Sequence, residues 1–266
     1  MQNYLENFFQ TETIIVKAIS DQKMIFSCEG KKYIAWSSQS PDLLQYLDNY
    51  QYTPKILSKT PYVIQEWLDD CKTFDINDFK VDMLLPLHKT VLPMNNNWLE
   101  PIDNMWLNLT GNAREFITNQ SYHWHKYKQE IKMPKIGNIC HGDIHPGNLI
   151  YTDQPYLIDW EWLCIAPKEF DLAMLKQYMT EDAFTKICNN YPITLDYNLL
   201  QQYQKLCLYR CALWALQNIR GNLELSGSVQ SIKYFRSKLV SNDFSYSRQE
   251  LIQLAQSALK AFIDLH

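Results

Sequence analysis

The sequence predicts an α+β chain in two lobes, a small antiparallel sheet followed by a larger helical lobe. Three observations predict it. Residues 11–36 are rich in β-branched and aromatic residues broken by turn-forming ones. From residue 69 the apolar residues recur at a period near 3.6. Inside that helical part, residues 139–162, ICHGDIHPGNLIYTDQPYLIDWEW, revert to loop and short strand and gather two histidines, three aspartates, an asparagine and a glutamate in an apolar frame. Buried carboxylates need something to offset their charge, so this stretch is where function is to be sought.

The elements follow in order. TIIVKAI (13–19) and KMIFSCEG (23–30) are strands joined by Ser20-Asp21-Gln22, and Gly30-Lys31-Lys32 turns the chain into YIAW (33–36), which completes a meander. Ser40-Pro41-Asp42 starts a helix through LLQYLDNY, and Thr53-Pro54 stops it. KILS and YVIQEWL are two further strands, so residues 1–68 form the sheet lobe and residues 69–266 the helical lobe. Phe79, Met83, Leu84, Leu87 and His88 carry a helical period, and residues 101–131 are helical with a break at Gly111. Leu199, Tyr203, Leu206, Arg210, Leu213 and Gln217 trace one face of a long, buried helix that ends near Gly221. Ser247 and Glu250 form a capping box that opens the last helix.

Composition narrows the function classes. The chain has 266 residues, 46% of them hydrophobic and 20% charged, which is enough for a substantial core. Its net charge is −4 and no run of like charge occurs, which argues against a nucleic-acid partner. MQNYLENFFQ has no basic region before an apolar run, and no apolar stretch is long enough to cross a bilayer. With seven scattered cysteines, an odd number, the expectation is a cytoplasmic protein with reduced thiols and no membrane partner. Cys207 and Cys211 are read as core residues rather than zinc ligands.

The chemistry is in the spacing within 139–162. Pro146-Gly147 forces a loop between Asp143 and Asn148, while NLIY (148–151) and YLID (156–159) are strands joined by a turn at 152–155. That hairpin brings Asn148 beside Asp159. An amide oxygen and a carboxylate are hard ligands suited to Mg²⁺. With Asp143 free in a neighbouring loop to take a substrate proton, the set is the toolkit of phosphoryl transfer. A competing reading makes His141, Asp143 and His145 a hydrolase metal triad, although Pro146-Gly147 breaks the strand geometry this needs.

HGDIHPGN followed by LIDWE resembles the catalytic loop and metal motif of the aminoglycoside phosphotransferase and choline kinase superfamily, whose fold is protein-kinase-like. VDMLLPLH (81–88), KEFDLAML (168–175) and the approach YTPKIL…YVIQEWLDD are similar to that family's flanking segments. The resemblance spans roughly residues 10–220 and is closest to bacterial thiamine and choline or ethanolamine kinases. It implies an ATP- and Mg²⁺-dependent kinase acting on a small hydroxyl substrate. Asp143 would be the catalytic base, Asn148 and Asp159 the metal ligands, and His141 and Asp171 structural. Gln65, Glu66, Trp67 and Leu68 would be the hinge that pairs with adenine, and Glu161 would touch metal or substrate.

The pattern departs in the sheet lobe. Where such folds carry a phosphate-binding lysine on the third strand, this sequence has Trp36, and the matching helix acid would be Asp42. Lys17 on the first strand is the substitute expected to reach the nucleotide, with Lys31 or Lys32 as alternatives; otherwise the chain is a weak or dead kinase that only binds ligand. For the acceptor, Glu161, Trp162, Tyr209 and Trp214 could cage a cationic head such as choline, ethanolamine or thiamine. Aminoglycosides or sugars remain the alternative.

Overall fold

The computed structural model describes residues 1–20, 23–94, 99–131, 133–219 and 246–265. The expected helix end at Gly221, and Asp21 and Gln22 of the first turn, lie outside the described residues. A five-stranded antiparallel sheet is formed by β1 (Ile14–Ser20), β2 (Lys23–Cys28), β3 (Lys31–Trp36), β4 (Ile56–Ser58) and β5 (Val63–Glu66), in the order β1-β2-β3-β5-β4. The β2–β3 turn is Glu29-Gly30, at φ 49° and 76°. Two positive φ values in a two-residue loop match the right-handed twist of the strands they join.

Strand alternation divides this sheet into two faces. Met24, Phe26 and Cys28 of β2, Tyr33 and Ala35 of β3 and Ile64 of β5 pack with Leu5 into a small core. Leu5 belongs to α1 (Gln2–Phe9), a helix the sequence reading did not anticipate, which covers that outer face. Lys23 and Ile25 of β2 and Ile34 and Trp36 of β3 have the opposite parity and face the helical lobe. The helix expected after Pro41 is a 3₁₀ turn, Pro41–Leu47. The expected helix over 79–88 breaks into 3₁₀ turns, Ile76–Asp78 and Val81–Met83, and the short α2 (Leu85–His88).

In the helical lobe, residues 100–130 form α3 (Glu100–Leu107), α4 (Gly111–Thr118) and α5 (Ser121–Glu130), so the Gly111 break is real. Then come α6 (Glu169–Tyr178), α7 (Glu181–Asn190), α8 (Tyr197–Gln217) and α9 (Arg248–Asp264). α8 is buried on several faces and packs against α3, α6 and α9, as a helix without a polar face must. Two small sheets complete the lobe: β7 (Val91–Pro93), β8 (Ile136–Cys140) and β11 (Cys164–Ala166) in one, β6 (Lys72–Thr73), β9 (Leu149–Tyr151) and β10 (Pro155–Leu157) in the other.

Ser247 and Glu250 make both hydrogen bonds of the capping box at the start of α9. Ser247→Ala is expected to cost about 1 kcal/mol, a fall of about 2–4 °C in Tm by thermal melting. No described helix is long and apolar enough to cross a membrane.

Candidate active site between the two lobes

The loop after β8 is held by a buried carboxylate. Asp171, in the first turn of α6, accepts the His141 amide at 2.9 Å on one oxygen and the Gly142 amide at 2.9 Å on the other. The His88 Nε2 lies 3.0 Å from the first of these oxygens, and the Tyr191 hydroxyl bonds the other nitrogen of His88. Three donors thus offset a charge that burial would otherwise make unfavourable. His88, Cys140 and Asp171 lie close enough to suggest a metal site. The hydrogen bonds, however, already use both His88 nitrogens and both Asp171 oxygens, and burial pushes the Cys140 thiol well up, keeping it protonated.

His141 is fixed in one neutral tautomer by its partners. Its Nε2 donates to the Ile158 carbonyl at 3.0 Å and its Nδ1 accepts the Asp143 amide at 3.2 Å. Burial holds its pKa down, outweighing the neighbouring carboxylates. The alternative His141–Asp143–His145 metal triad is therefore not assembled, since the nitrogens of His141 are committed and His145 Nδ1 accepts from the Gly147 amide at 3.0 Å. Gly142 has φ +78°, and a Cβ there would lie 2.3 Å from the Trp162 carbonyl oxygen. Only glycine allows both this conformation and this approach.

Asp143 projects from that loop. One carboxylate oxygen is 2.7 Å from Arg210 Nη2, and the other is 3.2 Å from Asn148 Nδ2 and 3.6 Å from His145 Nε2. Burial alone would raise its pKa, but the Arg210 charge and the His145 hydrogen bond outweigh it and hold the carboxyl well below the usual range. Asn148 also donates to the Asp143 carbonyl at 2.9 Å. This commits its amide nitrogen and leaves the amide oxygen as the ligand atom. Arg210 further donates to the Gly142 carbonyl and stacks its guanidinium 3.9 Å over the Trp162 ring.

The β9–β10 hairpin carries the chain from Asn148 to Asp159, with Ile158 N bonded to the Asn148 carbonyl at 3.0 Å. Asp159 has φ 66°, a left-handed conformation that costs an L residue on the order of 1–3 kcal/mol and recurs at functional sites. Lys23 crosses from the sheet lobe to meet it. Its Nζ is 2.9 and 3.0 Å from the two Asp159 oxygens and 2.8 Å from Glu161 Oε1. Burial would lower the Lys23 pKa, but Asp159 and Glu161 more than offset this and raise it. The Asp159 carboxylate and the Asn148 amide oxygen are the hard donors that a divalent cation such as Mg²⁺ takes, so the chemistry of the set fits one.

Two cavities flank this cluster. One, of about 370 Å³, lies between the lobes and is lined by Lys23, Ile34, Trp36, Ile150, Ile158 and Asp159 together with Gln65, Glu66, Trp67 and Leu68. The other, of about 260 Å³, is lined by Asp143, His145, Trp162, Tyr178, Arg210 and Trp214 among others. Several sequence candidates are thus brought together, and three are not. Lys17 is exposed on the edge strand β1, opposite Ile25 and one strand farther from the cleft than Lys23. Tyr209 is fully buried, stacked 4.3 Å from Trp124 in the core. Glu161 pairs with Lys23 instead of lining the Asp143 cavity. The four-residue cationic cage therefore does not form. Trp36 is 2% exposed and brings no cation; Lys32 pairs with Asp69 at 2.8 Å, and Lys31 is exposed.

Sequence reasoning missed Lys23 and Arg210. Arg210 had a readable signal, a cation set among the apolar residues Leu206–Leu216 of its helix, since a buried arginine requires a partner. Lys23 had none beyond its place at the start of a strand.

Residues 132–214, the segment with the loop and the hairpin, match the model of the phosphotransferase enzyme family, APH. No curated protein matches the chain. Several solved structures share its fold. The choline kinase LicA from Streptococcus pneumoniae superposes with a TM-score of 0.64 at 14% identity, covering 99% of this chain and 99% of that one. Plasmodium vivax ethanolamine kinase gives 0.56 at 14% identity over 95% of this chain and 81% of that one. The ADP-bound aminoglycoside phosphotransferase APH(2'')-Ib gives 0.54 at 14% identity over 97% of each.

Proposed function

We propose that this chain is a small-molecule kinase of the aminoglycoside phosphotransferase and choline kinase superfamily, a reading supported by the family match over residues 132–214 and by the shared fold, and that it transfers the terminal phosphoryl group of Mg²⁺-ATP to a hydroxyl of a small neutral or anionic metabolite. One observation carries the reading: Asp159 lines the interlobe cleft, Asp143 lines the neighbouring cavity, and Asn148 is hydrogen-bonded to Asp143 between them. The nucleotide would occupy the cleft. The Glu66 and Trp67 amides are already bonded to the Lys55 and Lys32 carbonyls, which leaves the Leu68 N–H as the hinge donor to adenine. Asn148 and Asp159 would hold Mg²⁺, which when bound neutralises charge between the phosphates. Asp143, kept ionised by Arg210, would accept the acceptor's hydroxyl hydrogen and aim its oxygen at the phosphorus.

The charge of the acceptor follows from Arg210. A quaternary ammonium or primary amine would use an aromatic face and a carboxylate; Tyr178 and Trp214 also line the cavity, but Arg210 already occupies the Trp162 face and pairs with Asp143. Among the described residues of this cavity, Asp143 is the only carboxylate. A second reading, a cationic amino-alcohol acceptor, has support from the choline and ethanolamine kinases that share the fold.

The test is a panel of acceptors incubated with Mg²⁺-ATP and read by mass spectrometry. Glycerol, glycerate, sugars, choline, ethanolamine, thiamine and an aminoglycoside span the charges. Products are expected only from neutral or anionic members. Turnover of choline or ethanolamine alone would replace the acceptor assignment with the second reading. Nucleotide binding with no product from any member would favour a ligand-binding pseudokinase.

A further inference from the structure

We infer that Lys23 is the phosphate-anchoring cation, displaced from the third strand to the second, and that Glu161, from the opposite lobe, is the acid that positions it. The inference rests on the kinase reading above, since it requires a nucleotide in the cleft.

In kinase-like folds the lysine that pairs with the α- and β-phosphates stands on the third strand and is oriented by a helix glutamate. Here Trp36 takes that strand position, and the acid that should follow, Asp42, is exposed on a 3₁₀ turn. The β2–β3 register pairs Trp36 directly with Lys23. Residues directly opposed in an antiparallel ladder project from the same face, with Cβ atoms about 4.5–5.5 Å apart. Moving the cation from one member of this pair to the other therefore changes its strand and keeps it on the cleft face. The outward parity of Met24 and Phe26, which pack with Leu5, fixes that of Lys23 inward.

The orientation is built as well. The Lys23 side chain is 15% exposed, and its ammonium is held by Glu161 at 2.8 Å and Asp159 at 2.9 Å. Both acids come from the helical lobe, so the pair normally made within the smaller lobe is here made across the cleft. If Asp159 gave its oxygens to a divalent cation, Glu161 would still hold the Lys23 ammonium, which would then be available to the phosphates. Glu161 is thus a positioning residue that acts through Lys23. The bulk at Trp36 also makes sense: it fills the wall from which a lysine would otherwise extend.

The test is nucleotide binding by the full chain in saturating Mg²⁺, measured by calorimetry with adenosine and with ADP as probes. Lys23→Met is expected to weaken ADP about ten- to hundredfold, the loss of a charge-assisted contact, and to leave adenosine within about twofold. Lys23→Arg should recover part of the ADP affinity. Glu161→Gln should weaken ADP less, and should add little on top of Lys23→Met, because a residue acting through another is non-additive with it. Unchanged ADP affinity in Lys23→Met would overturn the anchor role, and full additivity of the two substitutions would overturn the positioning role. A wild-type chain that binds neither adenosine nor ADP would overturn the kinase reading itself. Thermal melts of each variant report folding separately.

Discussion

Asp143→Asn is expected to lower phosphoryl transfer by about 10²–10⁴-fold, with nucleotide affinity in the cleft retained. The carboxylate sits where an acceptor hydroxyl would enter, and it is placed by Arg210, Asn148 and the His141-anchored loop. An amide keeps the shape but not the charge that orients and draws off the proton. The substitution also leaves the Arg210 guanidinium, whose side chain is 9% exposed, without its anionic partner. A lowered Tm is therefore expected, and rates should be compared well below it. The Asp143 pKa is depressed in the folded state, so its ion pair stabilises the fold above the unfolded pKa of about 3.9 and is lost only as pH falls through the lower folded value. Through the neutral range the group does not titrate, and the ratio of wild-type to variant rates should be the same at about pH 6 and about pH 8. Product quantified by mass spectrometry, in a single turnover, decides it. A rate within a few-fold of wild type would remove Asp143 from the chemistry.

Gly142→Ala is the second large effect. At φ +78° any side chain is strained, and here its Cβ would meet the Trp162 carbonyl at 2.3 Å, a backbone atom that has no rotamer with which to yield. The same residue gives its amide to Asp171 and its carbonyl to Arg210, so relief of the clash must move the loop that carries Asp143. A loss of at least about 2 kcal/mol is expected, or about 4–8 °C in Tm, together with most of the activity. Gly30→Ala is the control. Its φ of +76° carries similar strain, but nothing lies within 4 Å of the added Cβ. It should cost only about 1 kcal/mol and leave turnover intact. If Gly142→Ala is no worse than Gly30→Ala in urea denaturation, the close approach carries no weight.

The positions of Asp143, Asn148 and Asp159 were legible because they depend on local geometry. A Pro-Gly loop and a four-residue turn are written in adjacent residues, and β9 and β10 form the hairpin those residues require. Asp171 was legible only by resemblance; its hydrogen bonds to the loop amides come from a segment thirty residues away. Tyr209 and Arg210 show the limit. Neighbours on a helix point about 100° apart, and α8 is apolar on several sides, so its periodicity put Arg210 on one face without saying what that face meets, and gave Tyr209 no direction. Packing against Trp124 turned Tyr209 into the core and Arg210 into the cavity. α1 was missed because its eight residues acquire their buried face only from the sheet they cover.

The sequence by itself determined the fold class, the loop and hairpin of the helical lobe and the donor atoms they carry. These follow from turn chemistry and strand or helix period, which act over a few residues. Tertiary structure alone decided which cations face them. Lys23 reaches Asp159 across 136 residues of chain, and Arg210 reaches Asp143 across 67. The first pairing is set by strand register and by how the lobes close, the second by how α8 packs beneath the loop, and a charge acts through space on whatever the fold brings beside it.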